Sequence, residues 1–160
     1  MGEATMGNFS HSRVVSRLPL SGLVLLSSLL LALSSAVFAS KEGYESPEHV
    51  AGATTISLEQ ARQMHADGVT FIDVRNPRLY ARSHIPGAIH LNLSDNFNKA
   101  NLARHVAKDQ PFVLYCSGVR CNRSSRAADW SVEWGYTGVQ YFRDGIAAWR
   151  EAGYPEDEGE

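Results

Sequence analysis

The 160-residue chain carries 15 Lys and Arg against 17 Asp and Glu, a formal charge of −2, and is 44% hydrophobic. That length fits one domain, and charges of both signs spread along it leave no basic cluster to follow a phosphate backbone, so no nucleic-acid partner is expected. Two cysteines are too few for a disulfide scaffold, and no Cys/His grouping has metal-site spacing, so no metal is expected.

The composition changes sharply near the start. Leu18 to Ala39 holds no charged residue, and Arg13 and Arg17 stand just before it. That is the layout of a secretory signal, with Val37-Phe38-Ala39 as the cleavage site and residues 1–39 removed. The alternative is an uncleaved anchor, since about 20 apolar residues cross a bilayer; Pro19, Gly22 and the serines of the run weaken it. Without a twin arginine before the run or a cysteine after it, the Sec route remains, and the folded part is expected in the periplasm or otherwise exported. Membrane association is expected only for the uncleaved form.

Residues 40–52 are polar, contain Gly and Pro, and read as a linker or mobile lead-in. The folded domain is expected over 53–155, with 156–160 as an acidic tail of no evident structure. Thr54-Thr55-Ile56 is a short strand candidate, and Ser57 with Gln60 forms a capping box for a helix to about Ala66. Val69 to Val74 is β-branched, aromatic and almost continuously apolar, as in a strand covered on both faces. Asn76-Pro77 supplies a cap and a first-turn proline for a short helix to about Ser83. After the turn Ile85-Pro86-Gly87 come a brief strand at 88–91, a helix over about 96–107 capped by Ser94, and a buried strand at 112–115. A polar loop, a helix over about 124–134, a strand at 139–142 and a last helix over about 145–152 complete the chain. This alternation implies a parallel α/β sheet covered by helices on both faces.

Ligands of open parallel sheets bind beyond the carboxyl ends of the strands, and Cys116 ends the strand at 112–115. The loop Cys116-Ser117-Gly118-Val119-Arg120-Cys121-Asn122-Arg123 leads into a helix N-terminus. Its backbone N–H groups, the helix dipole and the arginines favour thiolate over thiol, and Gly118 permits a backbone angle closed to other residues. Such a cradle makes Cys116 a nucleophile and binds an anion such as the sulfonate end of thiosulfate. The competing reading is a buried, inert cysteine. His84 and His90 flank a turn without spaced ligand partners, and Trp130, Trp134 and Trp149 read as helix residues covering the sheet.

Four segments together carry a resemblance. Phe71-Ile72-Asp73-Val74-Arg75, His84-Ile85-Pro86-Gly87-Ala88-Ile89-His90-Leu91, Tyr115-Cys116 followed by Arg123-Ser124-Ser125-Arg126-Ala127-Ala128, and Arg143 to Trp149 with Ala152-Gly153-Tyr154-Pro155 resemble, in order, the motifs of a single-domain rhodanese. The resemblance covers 53–155. It implies a rhodanese-like α/β fold of about five parallel strands, Cys116 as sulfur carrier through a persulfide, and thiosulfate or another sulfane-sulfur donor as substrate. The partners implied are a small anionic sulfur donor and a thiol or cyanide acceptor, with no cofactor. Ser117, Gly118, Val119, Arg120, Asn122 and Arg123 are the expected substrate-binding residues; Asp73 and Arg75 are expected to support the loops structurally. Arg120 points either into the cradle or to solvent, while Arg123 matches the family's arginine.

Two departures bear on the chemistry. In the common pattern the arginine stands closer to the cysteine than the seven positions separating Cys116 from Arg123. A longer loop also suits an oxyanion, as in the phosphatase and arsenate-reductase relatives of the fold. The second departure is Cys121 in the same loop. It resolves a persulfide or sulfenic acid on Cys116 by closing a disulfide, or it packs beneath the loop, or the pair is a static disulfide in a non-catalytic or redox-sensing binding module.

Overall fold

The computed structural model describes Gly2 and residues 43–159. The run 18–39, with the signal or anchor read from it, lies outside the described residues. Five strands, β1 (Thr54–Thr55), β2 (Thr70–Asp73), β3 (Ile89–His90), β4 (Phe112–Tyr115) and β5 (Val139–Phe142), form one sheet in the order β1-β5-β4-β2-β3. Every pairing is parallel. Among the described residues four helices connect them, α1 (Leu58–Ala66), α2 (Pro77–Arg82), α3 (Lys99–Leu102) and α4 (Arg123–Glu133), and α5 (Gly145–Glu151) follows β5.

β4 lies in the middle of the sheet and is buried throughout. Its side chains alternate between two cores, as strand geometry requires. Phe112, Leu114 and Cys116 join Ala127 and Ala128 of α4 and Leu102 of α3 on one face. Val113 and Tyr115 join Ala61 of α1 and Ile146 and Trp149 of α5 on the other. The residues that α4 buries are Ser124, Ser125, Ala127, Ala128 and Ser131, all small. Small contacts seat this helix close on the sheet, with its first turn beside the end of β4.

The local signals act as their chemistry demands. Ser57 and Gln60 form the reciprocal capping box of α1, and Asn76 caps α2 ahead of Pro77. The helix expected over 96–107 is corrected to the single turn of α3, and Ser94 does not cap it. The Asn92 carbonyl instead gathers the amides of Asp95, Asn96 and Phe97 into a turn. Asn98 then starts the helix afresh by accepting the Asn101 amide at 3.0 Å. Asparagines offer the backbone local partners that compete with a continuous helix.

Both flanking segments are also more ordered than their composition suggests. Residues 43–52 form no helix or strand, yet Ser46 and Val50 are buried. The Ser46 amide donates to the Val119 carbonyl at 2.7 Å, and Arg143 donates through Nε and Nη2 to the Ser46 carbonyl at 3.1 and 3.0 Å. A buried backbone without secondary structure must find such partners elsewhere. The acidic tail is fixed as far as Gly159: Asp157 exchanges both backbone hydrogen bonds with His84 at 2.9 Å, and the Gly159 amide reaches the Ala81 carbonyl.

Candidate active site

Cys116 follows the last residue of β4, and the loop it opens is held from the side by α5. The Ile146 amide donates to the Cys116 carbonyl at 3.0 Å and the Ala147 amide to the Ser117 carbonyl at 3.2 Å. This approach needs glycine at Gly145, whose φ is +56° and where a Cβ would collide with the Cys116 carbonyl. Gly118, at φ +148°, faces Ala147 and the Asp144 carbonyl. Its own carbonyl accepts the Cys121 amide at 2.9 Å, closing a turn over Val119 and Arg120. That turn points Cys121 back toward Cys116.

An open pocket of about 650 Å³ lies over the loop, lined by residues 117–123 with Tyr44 and Ala147. All six expected substrate-binding residues thus share one wall. Arg120 is exposed at its edge, its guanidinium against Gly43. Arg123, the first residue of α4, is half-buried and donates from Nη1 to Asn92 Oδ1 at 3.1 Å and to the Val74 carbonyl at 3.3 Å. Asn122 precedes α4, and its carbonyl accepts the Ser125 hydroxyl at 3.0 Å.

The two cysteines differ in burial and in hydrogen-bond partners. Cys116 is completely buried and lies beneath the pocket wall rather than in it. Its sulfur donates to the Cys121 carbonyl at 3.3 Å, lies 4.0 Å from the Gly118 carbonyl, and meets Ser124 Oγ at 3.1 Å. Carbonyl oxygens favour a thiol over a thiolate. The amide cradle is divided between the two sulfurs: the Gly118 N–H and the Ser124 hydroxyl favour the Cys116 thiolate, and the N–H groups of Arg123 and Ser117 favour that of Cys121. Cys121 lines the pocket, and the Cys116 thiol turns its proton toward Cys121. That proton, the two amides and the Arg123 charge outweigh partial burial and bring the Cys121 pKa down to about 6. For Cys116, donation of its proton to Cys121 and full burial push the pKa well up. Both cysteines are free thiols.

Asp73 and Arg75 lie below this layer as a buried ion pair. Arg75 Nε donates to both Asp73 oxygens at 2.9 Å, and Nη2 donates to Oδ2 and, at 2.7 Å, to the Ser83 carbonyl. Burial opposes the Arg75 charge, but Asp73 more than offsets it and raises the guanidinium pKa. His84 and His90 stack on either side of Tyr80, and a ring nitrogen of each reaches a backbone carbonyl. Among the described residues no three His, Cys, Asp or Glu side chains gather as a metal site.

Sequence reasoning missed three contributors. Asn92 anchors Arg123 but lies in a connection without periodicity. Tyr44, 54% exposed at the pocket rim, belongs to a segment with no structural signal of its own. Ser124 adjoins Arg123 within the quoted motif, and only the packing of α4 on β4 brings its hydroxyl to Cys116.

A parallel five-stranded sheet, helices on both faces and a cysteine loop running from the central strand into a helix N-terminus define a rhodanese-like α/β domain. Residues 57–152 match the Rhodanese-like domain family. The chain belongs to the rhodanese family. It is 37% identical over 100 residues to the thiosulfate sulfurtransferase GlpE of Pseudomonas entomophila, covering 62% of this chain and 86% of that protein. Its counterpart from Pseudomonas syringae pv. syringae is 33% identical over 102 residues, covering 64% and 91%. Among solved structures, the human single-domain sulfurtransferase TSTD1 superposes with a TM-score of 0.55 at 25% identity, covering 62% of this chain and 96% of that one. The polysulfide-sulfur transferase homodimer from Wolinella succinogenes shares the fold, with a TM-score of 0.55 at 18% identity and coverage of 86% and 92%.

Proposed function

We propose that this chain is an exported rhodanese-like sulfurtransferase. Its loop takes sulfane sulfur from a small anionic donor of the thiosulfate kind, holds it as a cysteine persulfide, and gives it to a thiol or to cyanide. The observation that carries this reading is a pair of free thiols in one loop, Cys121 lining a pocket that Arg120 and Arg123 also line and Cys116 buried beneath it with its sulfur 3.3 Å from the Cys121 carbonyl. A thiolate, not a thiol, attacks sulfur, and this loop holds one thiolate by sharing one proton between two cysteines. The α4 N-terminus and the two arginines favour an anion in the same place.

In the transfer, thiolate sulfur bonds to the sulfane sulfur of thiosulfate, the bond to the sulfonate sulfur breaks, and sulfite leaves with its electron pair. The acceptor reverses the process. Neither step calls on a cofactor. Cys116 stands where the family motif places the carrier, and Cys121 stands where the pocket meets the loop. The pocket is larger than a tetrahedral anion and leaves room for an acceptor thiol. Export is supported by the charge-free run at 18–39 behind Arg13 and Arg17.

The test is sulfite and thiocyanate formation from thiosulfate and cyanide by the purified protein. Activity is expected in the wild type and absent when both Cys116 and Cys121 are replaced by serine; activity surviving in that double variant refutes the reading. For export, a mature N-terminus at Ser40 in the extracytoplasmic fraction is expected, and a chain retained in the cytoplasm with its N-terminus intact counts against it.

A further inference from the structure

The rim of the pocket carries two side chains that the attack on a small donor does not call on. Tyr44 is 54% exposed, the one large hydrophobic residue left in water among the described residues. Its backbone is nonetheless anchored. Ser46 is buried, its amide donates to the Val119 carbonyl and its carbonyl accepts Arg143, which also pairs with Glu45 at 3.3 Å. An aromatic face held in place and left bare offers a surface to a ligand's carbon chain.

Arg120 is the second. Its guanidinium runs beside the lead-in, where a Cβ at Gly43 would lie 3.7 Å from Cζ and Nη1. Among the described residues the ion pairs are Arg75 with Asp73, Arg143 with Glu45 and Arg150 with Glu156, so no carboxylate neutralises Arg120 there. Arg123 differs: it is half-buried at the start of α4, and its Nη1 is committed to Asn92 and Val74. The pocket thus has two cationic places, a fixed one deep at the helix N-terminus and an unpaired one at the rim. Its volume of about 650 Å³ lies within the ~300–1,000 Å³ of small-molecule sites, and thiosulfate or cyanide fills little of it.

We propose that Tyr44 and Arg120 form the acceptor subsite and that the acceptor is a small thiol bearing a carboxylate. The carboxylate pairs with Arg120, the carbon chain lies on the Tyr44 ring, and the thiol reaches inward to the persulfide. The inference rests on the sulfurtransferase reading and names the acceptor class which that reading leaves open. Tyr44 precedes residues 57–152, the stretch that matches the family, so selection by the lead-in belongs to this chain rather than to the fold. In the transfer the acceptor's thiol proton passes to solvent and its thiolate bonds to the outer sulfur of the cysteine persulfide. The bond from that sulfur to the cysteine Sγ breaks, and the cysteine leaves with the electron pair as a thiolate. The acceptor departs as a persulfide, and no oxidant or reductant is consumed.

The experiment uses the full chain with saturating thiosulfate and a series of ω-mercaptoalkanoates, from mercaptopropionate to mercaptooctanoate. Each is paired with the mercaptoalkanol of equal length and compared at equal thiolate concentration, with sulfite release as the readout. Cyanide, which has neither a carboxylate nor a chain, is the internal standard for every variant. For the wild type, kcat/KM is expected to favour acid over alcohol by about threefold to fivefold at the best length, the range of a partly exposed charge pair. Added salt is expected to shrink that preference. Arg120→Gln is expected to abolish it and Arg120→Lys to retain it. Tyr44→Ala is expected to raise KM for the longer chains of both kinds relative to cyanide, and Tyr44→Phe to keep it low. A loosened loop would instead slow all acceptors together. The inference is overturned if the wild type uses acid and alcohol equally, if Tyr44→Ala affects cyanide as much as the long chains, or if Arg120→Gln raises KM for thiosulfate and leaves the acid-to-alcohol ratio in place. Each of these results leaves the sulfurtransferase reading standing, because sulfite still forms with cyanide. Absence of sulfite with every acceptor overturns that reading, and the inference with it.

Discussion

The carbonyl of Cys116 accepts the Ile146 amide at 3.0 Å, so the first turn of α5 fixes the start of the loop that carries both thiols. This contact depends on Gly145. Gly145→Ala is expected to destabilise the domain by about 2 kcal/mol or more, since a non-glycine residue at positive φ costs roughly 1–3 kcal/mol before any collision is counted. It is also expected to slow sulfite release, because the loop must shift to admit the methyl group. Denaturant unfolding and a single-turnover assay on the same variant check both effects; an unchanged unfolding midpoint would refute the close approach.

Asp73 and Arg75 are buried together, so removing one partner strands the other. Asp73→Ala is expected to cost about 3–5 kcal/mol, the range for an uncompensated buried charge. Replacing the pair at once, as in Asp73→Leu with Arg75→Met, is expected to recover much of that loss. The check is a double-mutant cycle on unfolding free energy. Additive losses would show that the pair is not coupled.

Ionisation of Cys121 sets the pH profile. The thiolate is the reactive form, so the rate of sulfite release is expected to rise as pH increases through about 6 and to level off above it. Stability under reducing conditions follows the same group. Between that value and the unfolded thiol value of ~8.5, only the unfolded chain keeps the Cys121 proton, so stability increases with pH. Above ~8.5 the unfolded Cys116 ionises while the folded one stays protonated, so stability falls again. Cys121→Ser is expected to remove the rising limb and to lessen the fall, which then rests on the burial of Cys116. Unfolding midpoints measured across this range in the presence of a phosphine reductant test the sign of each limb.

Arg143 ties β5 to the lead-in by two hydrogen bonds to the Ser46 carbonyl. Arg143→Ala is expected to lower stability by about 1–2 kcal/mol and to raise KM for thiosulfate while kcat changes little. The reason is positional: Ser46 holds Val119 in place and keeps neighbouring Tyr44 at the pocket rim. An unchanged KM together with a fallen kcat would place the effect at the thiols instead.

The legible parts of this chain are those whose cause is local. Ser57 and Gln60 sit three residues apart and cap the same helix turn; Asn76-Pro77 sets the start of α2; the apolar runs at β2 and β4 report burial on two faces. Cys116 at the end of a central strand followed from the same logic. The environment of each thiol did not, because it depends on α5 pressing on the loop and on the turn that brings Cys121 back over Cys116. The α5 contacts join residues thirty positions apart, which no short pattern encodes, and the turn from Gly118 to Cys121 carries no signal of the sulfur it faces. The single turn of α3 was hidden for another reason. Asn92, Asn96 and Asn98 each divert backbone groups that a longer helix would use, a competition that a capping rule applied at Ser94 does not weigh.

The lead-in gives the domain a sidedness. Gly43 lies against Arg120, Tyr44 stands on the pocket rim, and Ser46 is bonded to Val119, so the chain joins the domain at the mouth of the pocket rather than at its back. A pull on the polypeptide ahead of Gly43 would pass through one hydrogen bond to the reactive loop. A thiol that enters this pocket passes that connecting segment first, so its bulk and charge bear on which partners come within reach of the two cysteines.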